Sequence, residues 1–223
     1  MKVDYIEHMG TDISVVNAAR VSFDKESDYC PISKQRGTAH WKLTAKDAKL
    51  LNYLARENHW SPFAHPQVSI RVKAPIFVAR QLAKSQVGFA WNEVSRRYVN
   101  DPPEFYMPDT FRVSASNVKQ GSGGEHTESE QMKVDFADYH KDVAALYEAL
   151  IDGAICEEQA RMVLPQNTYT SWIWTGSLLG WSRVCKLRLD SHTQAETREV
   201  AALIQGIVQP LFPVSWEALQ DDS

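Results

Sequence analysis

A chain of 223 residues with 43% hydrophobic and 23% charged residues can build one domain with a substantial core. Its net charge of -4 argues against bulk nucleic-acid binding, so local basic clusters carry more meaning than the total. No stretch approaches eighteen apolar residues, and MKVDYIEHMG has acids where a secretory signal has an apolar run. A soluble, cytoplasmic protein without membrane or nucleic-acid partners is therefore expected. Cys30, Cys156 and Cys185 show no CxxC and no metal-ligand spacing, which predicts reduced thiols and no metal site. Cys156 and Cys185 read as small buried apolar residues. Most of the seven Trp are expected in the core.

In chain order, Lys2 to Ile6 predicts a strand, and Asp12 caps a helix through Ile13, Val16 and Arg20. The polar stretch from Asp24 to Trp41 reads as a surface loop. Thr44 with Asp47 forms a capping box. It starts a helix with Ala48, Leu51, Leu54 and Ala55 on one face, ending near Asn58. His59 to His65 reads as a rigid turn, because Pro62 fixes its own φ and biases Ser61 to extended geometry. Val68, Ile70 and Val72 alternate with Ser69 and Arg71, as in a half-buried strand. A helix from Ile76 to Lys84 follows, then a Ser-Gln-Val-Gly turn.

Pro102, Pro103 and Pro108 punctuate an extended segment, and Asn117 to Thr127 reads as a flexible Gly/Ser-rich loop. The clearest helix runs from Glu128 to Ile151. Met132, Phe136, Tyr139, Val143, Leu146 and Leu150 step by three and four along it, and Gly153 is placed to cap its end. Glu157 to Val163 is another helix, stopped before Pro165. Thr168 to Trp174 is aromatic and β-branched. Ser177 to Cys185 and Thr193 to Val208 read as helices, the second ended by Pro210 and Pro213. Strands meeting long helices without regular βαβ winding predict a single α+β domain over residues 1–223.

The stretch from Pro75 to Tyr98 carries the densest polar chemistry. Arg80, Lys84, Arg96 and Arg97 are interleaved with Gln81, Ser85, Gln86, Asn92, Glu93 and Ser95, and broken by Phe89, Trp91 and Val94. Guanidinium forks recognise phosphates and planar imides, so the stretch reads as a site for an anionic ligand, most simply a nucleotide. Ser61 with His59 and His65, Arg161 before Leu164-Pro165, and Arg183, Arg188 and His192 form three further groups. Plainer readings stand beside these. A lone helical Arg is usually solvated, Ser61 can be only a cap, and Glu93 can merely pair with Arg96 or Arg97. The absence of GxGxxG, GxxxxGK[ST], GxSxG and HExxH removes dinucleotide, P-loop, esterase and zinc-protease signatures.

The motifs NAARVSF (17–23), HWSPFAH (59–65), VKAPIFVARQ (72–81), NEVSRRY (92–98), EFYMP (104–108), ARMVLPQNTYTSWIWT (160–175) and LRLDSHTQAE (187–196) follow one another along the chain. In that order and spacing the sequence resembles the flavin-dependent thymidylate synthases over nearly its whole length. The resemblance implies a homotetramer of α+β subunits, each an antiparallel sheet flanked by helices, with active sites at subunit junctions. It implies FAD as cofactor and reductive methylation of dUMP to dTMP, with methylenetetrahydrofolate and NADPH as co-substrates. It places Gln81, Lys84, Glu93, Val94, Ser95, Arg96, Arg97, Arg161 and Arg188 on dUMP, with Arg188 as the catalytic group that ionises N3. It places Ser22, Ser61, Lys84, Ser85, Gln86, Asn92, Glu93, Ser177, Leu179 and Arg183 on FAD, with His192 lining the flavin and folate pocket. The family's usual Arg-His-Arg triplet is Lys84-Ser85-Gln86 here, and one extra residue precedes Asn92. Flavin and folate contacts are therefore expected to differ in detail. Two alternatives stand beside it: a related enzyme, either a pyrimidine-nucleotide methylase with another acceptor or a C5 hydroxymethylase, and a nucleotide- or flavin-binding protein without turnover.

Overall fold

A computed structural model describes residues 1–35, 38–115 and 121–221, with the side chains of 32–41 outside the described set. Its centre is a four-stranded sheet in the order β1 (Lys2–Met9), β4 (Gln67–Pro75), β8 (Tyr169–Ser177), β5 (Phe89–Glu93), with every neighbouring pair antiparallel. Val68, Ile70, Val72 and Ala74 of β4 and Trp172 and Trp174 of β8 face the core. Helices cover that face: α1 (Asp12–Arg20), α2 (Ala45–Arg56), α7 (Leu178–Arg188), α8 (Ala195–Val208) and α9 (Pro213–Gln220). The α+β class and the sheet flanked by helices are as expected. Among the described residues, no helix is long and apolar enough to cross a membrane.

Periodicity located the long elements. Thr44 caps α2 by accepting from Asp47 N at 3.1 Å, α5 spans Ser129–Asp152, and α6 (Glu157–Ala160) runs into a 3₁₀ turn (Arg161–Val163) before Pro165. Elsewhere the structure corrects the expectations. Asp12 caps a helix, but not its own. Its carboxylate accepts from the N–H groups of Val214 and Ser215 at the start of α9, at 3.0 and 2.9 Å. Pro213, expected to end a helix, opens that one, since its fixed φ suits a first helical position. Ser61 and Pro62 open a short helix, α3 (Ser61–Ala64), rather than an extended turn. The stretch from Asp24 to Trp41 is not all loop: β2 (Cys30–Gln35) and β3 (Thr38–Lys42) pair as a hairpin. In the expected loop from Asn117 to Thr127, residues 117–120 lie outside the described set, while β7 (Ser122–Glu125) pairs with β6 (Arg112–Ser114). Gly153 caps α5 at an ordinary φ of -76°, and the left-handed residue is Ala154 at φ +60°. Cys185 is buried as expected, whereas Cys156 is exposed.

Two features place the polar stretch. First, α4 (Ile76–Leu82) starts at Pro75, which also ends β4, and stops two residues short of the expected Lys84. Second, the chain turns at Gly88 (φ +81°) and returns as β5, a strand the sequence did not announce. Phe89 anchors it. Its ring lies 4.8 Å from the rings of both Trp174 and Trp181, and a Cβ on Gly176 would stand 2.1 Å from the Phe89 ring. The missing side chain at Gly176 is what lets β5 lie against β8. One aspect of α5 differs from a core-facing helix. Val143 and Tyr147 are buried, yet Met132, Tyr139 and Leu146 are 37%, 44% and 51% exposed.

Candidate active site

The residues expected to share one site open on separate cavities of the subunit. The first, about 580 Å³, is lined by Glu93, Val94, Ser95, Arg96, Arg97 and Arg161, with Lys73, Tyr169 and Thr170. Glu93 ends β5 opposite Trp172, and pairs with neither neighbouring Arg. Its Oε1 accepts from Thr170 Oγ1 at 2.7 Å and its Oε2 from Trp91 Nε1 at 3.2 Å. Arg96 donates to the Asp101 carbonyl at 2.8 Å and lies over the Tyr147 ring. Arg97 Nε donates to Ser95 Oγ at 3.3 Å, and Arg161 Nε to the Glu158 carbonyl at 3.4 Å. Arg97 and Arg161 thus have only neutral oxygens as hydrogen-bond partners among the described residues, which leaves their charge for a ligand.

The second cavity, about 740 Å³, is lined by Arg80, Gln81, Lys84, Arg112, Arg188, His192, Thr193 and Gln194, with Gly121 and Ser122. It shares no lining residue with the first. Arg188 sits at the end of α7. Its Nη2 donates to the Gln81 carbonyl at 2.8 Å, while its Nε is buried without a partner among the described residues. Burial lowers the Arg188 pKa from its usual value. The Gln81 amide is held at both ends: Nε2 donates to Gln194 Oε1, and Oε1 accepts from the buried Thr197 hydroxyl at 3.1 Å. His192 rests on Asp190, whose Oδ1 accepts from the His192 backbone N–H at 2.8 Å. The His192 ring Nδ1 lies 2.9 Å from the same oxygen, and the two hydrogen bonds lower the Asp190 pKa.

A third cavity, about 340 Å³, takes Leu179 and Arg183 together with His59, Trp60, Phe63 and Arg56. Ser22, Ser61, Ser85, Gln86, Asn92 and Ser177 line none of these three. Ser22 lies exposed in a 3₁₀ turn (Val21–Phe23), and Ser61 is exposed at the start of α3. Ser85 and the exposed Gln86 lie in the turn between α4 and β5. Ser177 is buried, and its Oγ caps α7 by accepting from Gly180 N at 3.1 Å. Sequence reasoning did not assign Arg112, because it lies beside a Gly/Ser-rich stretch and outside every motif.

Comparison with known proteins gives this arrangement its context. The family model described as thymidylate synthase complementing protein matches residues 4–214. The flavin-dependent thymidylate synthase of Thermus thermophilus is 36% identical over 219 residues, covering 98% of this chain and 75% of the relative. That of Pseudothermotoga lettingae is 34% identical over 216 residues, covering 97% and 88%. The chain belongs to the flavin-dependent thymidylate synthase family. Among solved structures, a UMP/dUMP methylase PolB from Streptomyces cacaoi bound with 5-Br dUMP superimposes with a TM-score of 0.79 at 30% identity, covering 97% of this chain and 93% of that one. The same methylase bound with 5-Br UMP gives 0.81 at 29%.

The residues present fit the dinucleotide cofactor that the family name implies. In the third cavity Trp60 is 59% exposed beside His59, so flat ring area is available for stacking. Arg183 is exposed and has no carboxylate partner among the described residues, which suits a pyrophosphate.

Proposed function

We propose that this methyltransferase converts dUMP to dTMP, with FAD as its redox cofactor, methylenetetrahydrofolate as carbon donor and NADPH as reductant. The observation that carries the reading is the Arg188 guanidinium. It is fixed by the Gln81 carbonyl, partly desolvated, and left with an unpaired buried N–H on the wall of a cationic cavity. Uracil C5 is a poor nucleophile. A guanidinium set against N3 and a carbonyl oxygen favours the imide anion, and that charge delocalises towards C5. Gln81, Lys84 and Arg188 on one wall, and Glu93, Val94, Ser95, Arg96, Arg97 and Arg161 on the other, hold the nucleotide. Ser22, Ser61, Lys84, Ser85, Gln86, Asn92, Glu93, Leu179, Arg183 and His192 hold the flavin, and the buried Ser177 acts behind them through its cap on α7. When bound, the flavin supplies two-electron chemistry that no side chain can.

The test is an anaerobic assay: a visible spectrum, reduction by NADPH, addition of dUMP and methylenetetrahydrofolate, and mass analysis of the nucleotide. A flavin spectrum and a gain of CH₂ are expected. A gain of CH₂O would assign a hydroxymethylase, and tight dUMP binding without product would assign a binding protein. A second reading, methylation of UMP, is favoured by the likeness to a UMP/dUMP methylase solved with both bromo-nucleotides. The same assay with UMP decides it.

The two nucleotide-binding groups share no cavity within one subunit, so the reading joins them across subunits of a homotetramer. The exposed apolar residues of α5 support such burial between copies. The expected consequence is complementation. Arg161→Ala and Arg188→Ala, each inactive alone, should recover about a quarter of wild-type activity after random subunit exchange, because that fraction of shared sites is intact. No recovery in demonstrably mixed oligomers would place both residues in sites built within single subunits.

A further inference from the structure

One corner of the Arg188 cavity is built by residues that have no part in the reaction as derived above. Arg112, on the exposed three-residue strand β6, lines this cavity and also the adjoining aromatic cleft formed around Phe111 and Phe136. Its Nη2 donates to Glu196 Oε1 and its Nε to Ser122 Oγ, each at 2.7 Å. Nη1 has no hydrogen-bond partner among the described residues. Glu196 is 5% exposed in the first turn of α8. Burial raises its pKa, but the hydrogen bond and charge of Arg112 help to outweigh that and leave it below the usual carboxylate value, while its Oε2 is buried without a hydrogen-bond partner among the described residues.

A buried carboxylate is a costly way to secure a short exposed strand, since a well-packed apolar pair would serve stability as well or better. What the ion pair does supply is a guanidinium that cannot swing, with one edge committed and another still able to donate. The charge on the wall points the same way. Arg80, Lys84, Arg112 and Arg188 line this cavity, and among the described residues no Asp or Glu does.

We propose that Arg112, oriented by Glu196, is a further anion-binding residue of this cavity, its Nη1 edge taking an anionic oxygen of a bound substrate. The proposal rests on the functional reading above for the identity of the substrates. Two substrates that the reading brings to Arg188 and His192 in this cavity carry that chemistry: the nucleotide, through its phosphate, and the folate donor, through its glutamate carboxylates. Glu196 is a positioning residue, which acts through Arg112.

The experiment compares wild type with Arg112→Gln, Arg112→Lys and Glu196→Gln. It measures dUMP and deoxyuridine affinity by calorimetry, and KM for methylenetetrahydrofolate carrying one or three glutamates. Arg112→Gln is expected to weaken one ligand about tenfold, the worth of one charge-assisted hydrogen bond. Lys should restore only part of this, because it keeps the charge and loses the fork. Glu196→Gln should fall between wild type and Arg112→Gln. A loss confined to dUMP and absent for deoxyuridine assigns the phosphate. A loss in folate KM that grows with glutamate number assigns the carboxylates. The proposal is overturned if all affinities stay within about twofold, or if Lys and Gln lower every parameter equally along with the melting temperature, which marks a purely structural pair. If the wild type makes no methylated product, the functional reading fails on its own, and dUMP affinity in the variants still decides the role of Arg112.

Discussion

Replacing Arg188 with alanine is expected to reduce kcat by about 10² to 10³, the range for loss of one well-placed donor to developing charge, while dUMP affinity falls much less. The reason is where the guanidinium sits. One nitrogen is spent on the Gln81 carbonyl, another is buried without a partner, and the group is partly withdrawn from water. Such a donor interacts more strongly with an anion forming beside it than with the neutral imide, so its effect belongs mainly to the transition state. Arg188→Lys should recover little, because an ammonium cannot span N3 and a carbonyl oxygen together. Steady-state kinetics beside calorimetric dUMP binding separates the two effects. A variant that binds weakly but turns over normally at saturation would remove the activation role.

Asp47→Ala should destabilise the subunit by about 3–5 kcal/mol, the usual result of stripping one member from a buried ion pair. Asp47 is 1% exposed. Its Oδ1 accepts from Arg20 Nη2 at 2.5 Å and Ser27 Oγ at 3.0 Å, and its Oδ2 from Thr44 Oγ1 at 2.7 Å. Burial raises its pKa, but these hydrogen bonds lower it further, so the folded value lies below the ordinary 3.8. The sign follows. The ionised carboxylate stabilises the fold fully above pH 3.8, and that contribution disappears as pH falls through the lower folded value. Urea unfolding at fixed protein concentration should show the wild-type advantage over Asp47→Asn at pH 7 shrinking below that range. An advantage independent of pH would show that packing, rather than charge, makes the site. Arg20, the partner of Asp47, stands immediately before the 3₁₀ turn Val21–Phe23, so the pair also ties that turn to α2.

Much of the scaffold was legible locally. The apolar steps of α5 and α8, the alternation in β4 and the Thr44–Asp47 cap are properties of neighbouring residues, and short-range physics places them. The strand β5 was not legible. Phe89 to Glu93 is too short and too exposed to read as a strand, and it becomes one because β8 offers backbone partners and Gly176 offers room for the Phe89 ring. Asp12 is similar: its capping chemistry shows in sequence, but the helix it caps begins 201 residues later, at Pro213. In the site, the motifs supply residue types, and the fold decides which of them open on the same cavity of a subunit. Gln81 and Lys84 lie close in sequence to Glu93 and Arg97, yet the turn at Gly88 sends the two sets to different cavities. It brings Gln81 instead to Arg188, 107 residues away.

By itself, then, the sequence determined the α+β class, the long helices, the family and the inventory of cations and amides that can meet a nucleotide. Those rest on periodicity, capping and residue type, which act over a few positions. The tertiary structure alone decided which cation faces which cavity, which helix Asp12 caps, and that Arg112 is held by Glu196. Each of these depends on groups far apart in the chain being desolvated together, and only the packed fold makes that juxtaposition.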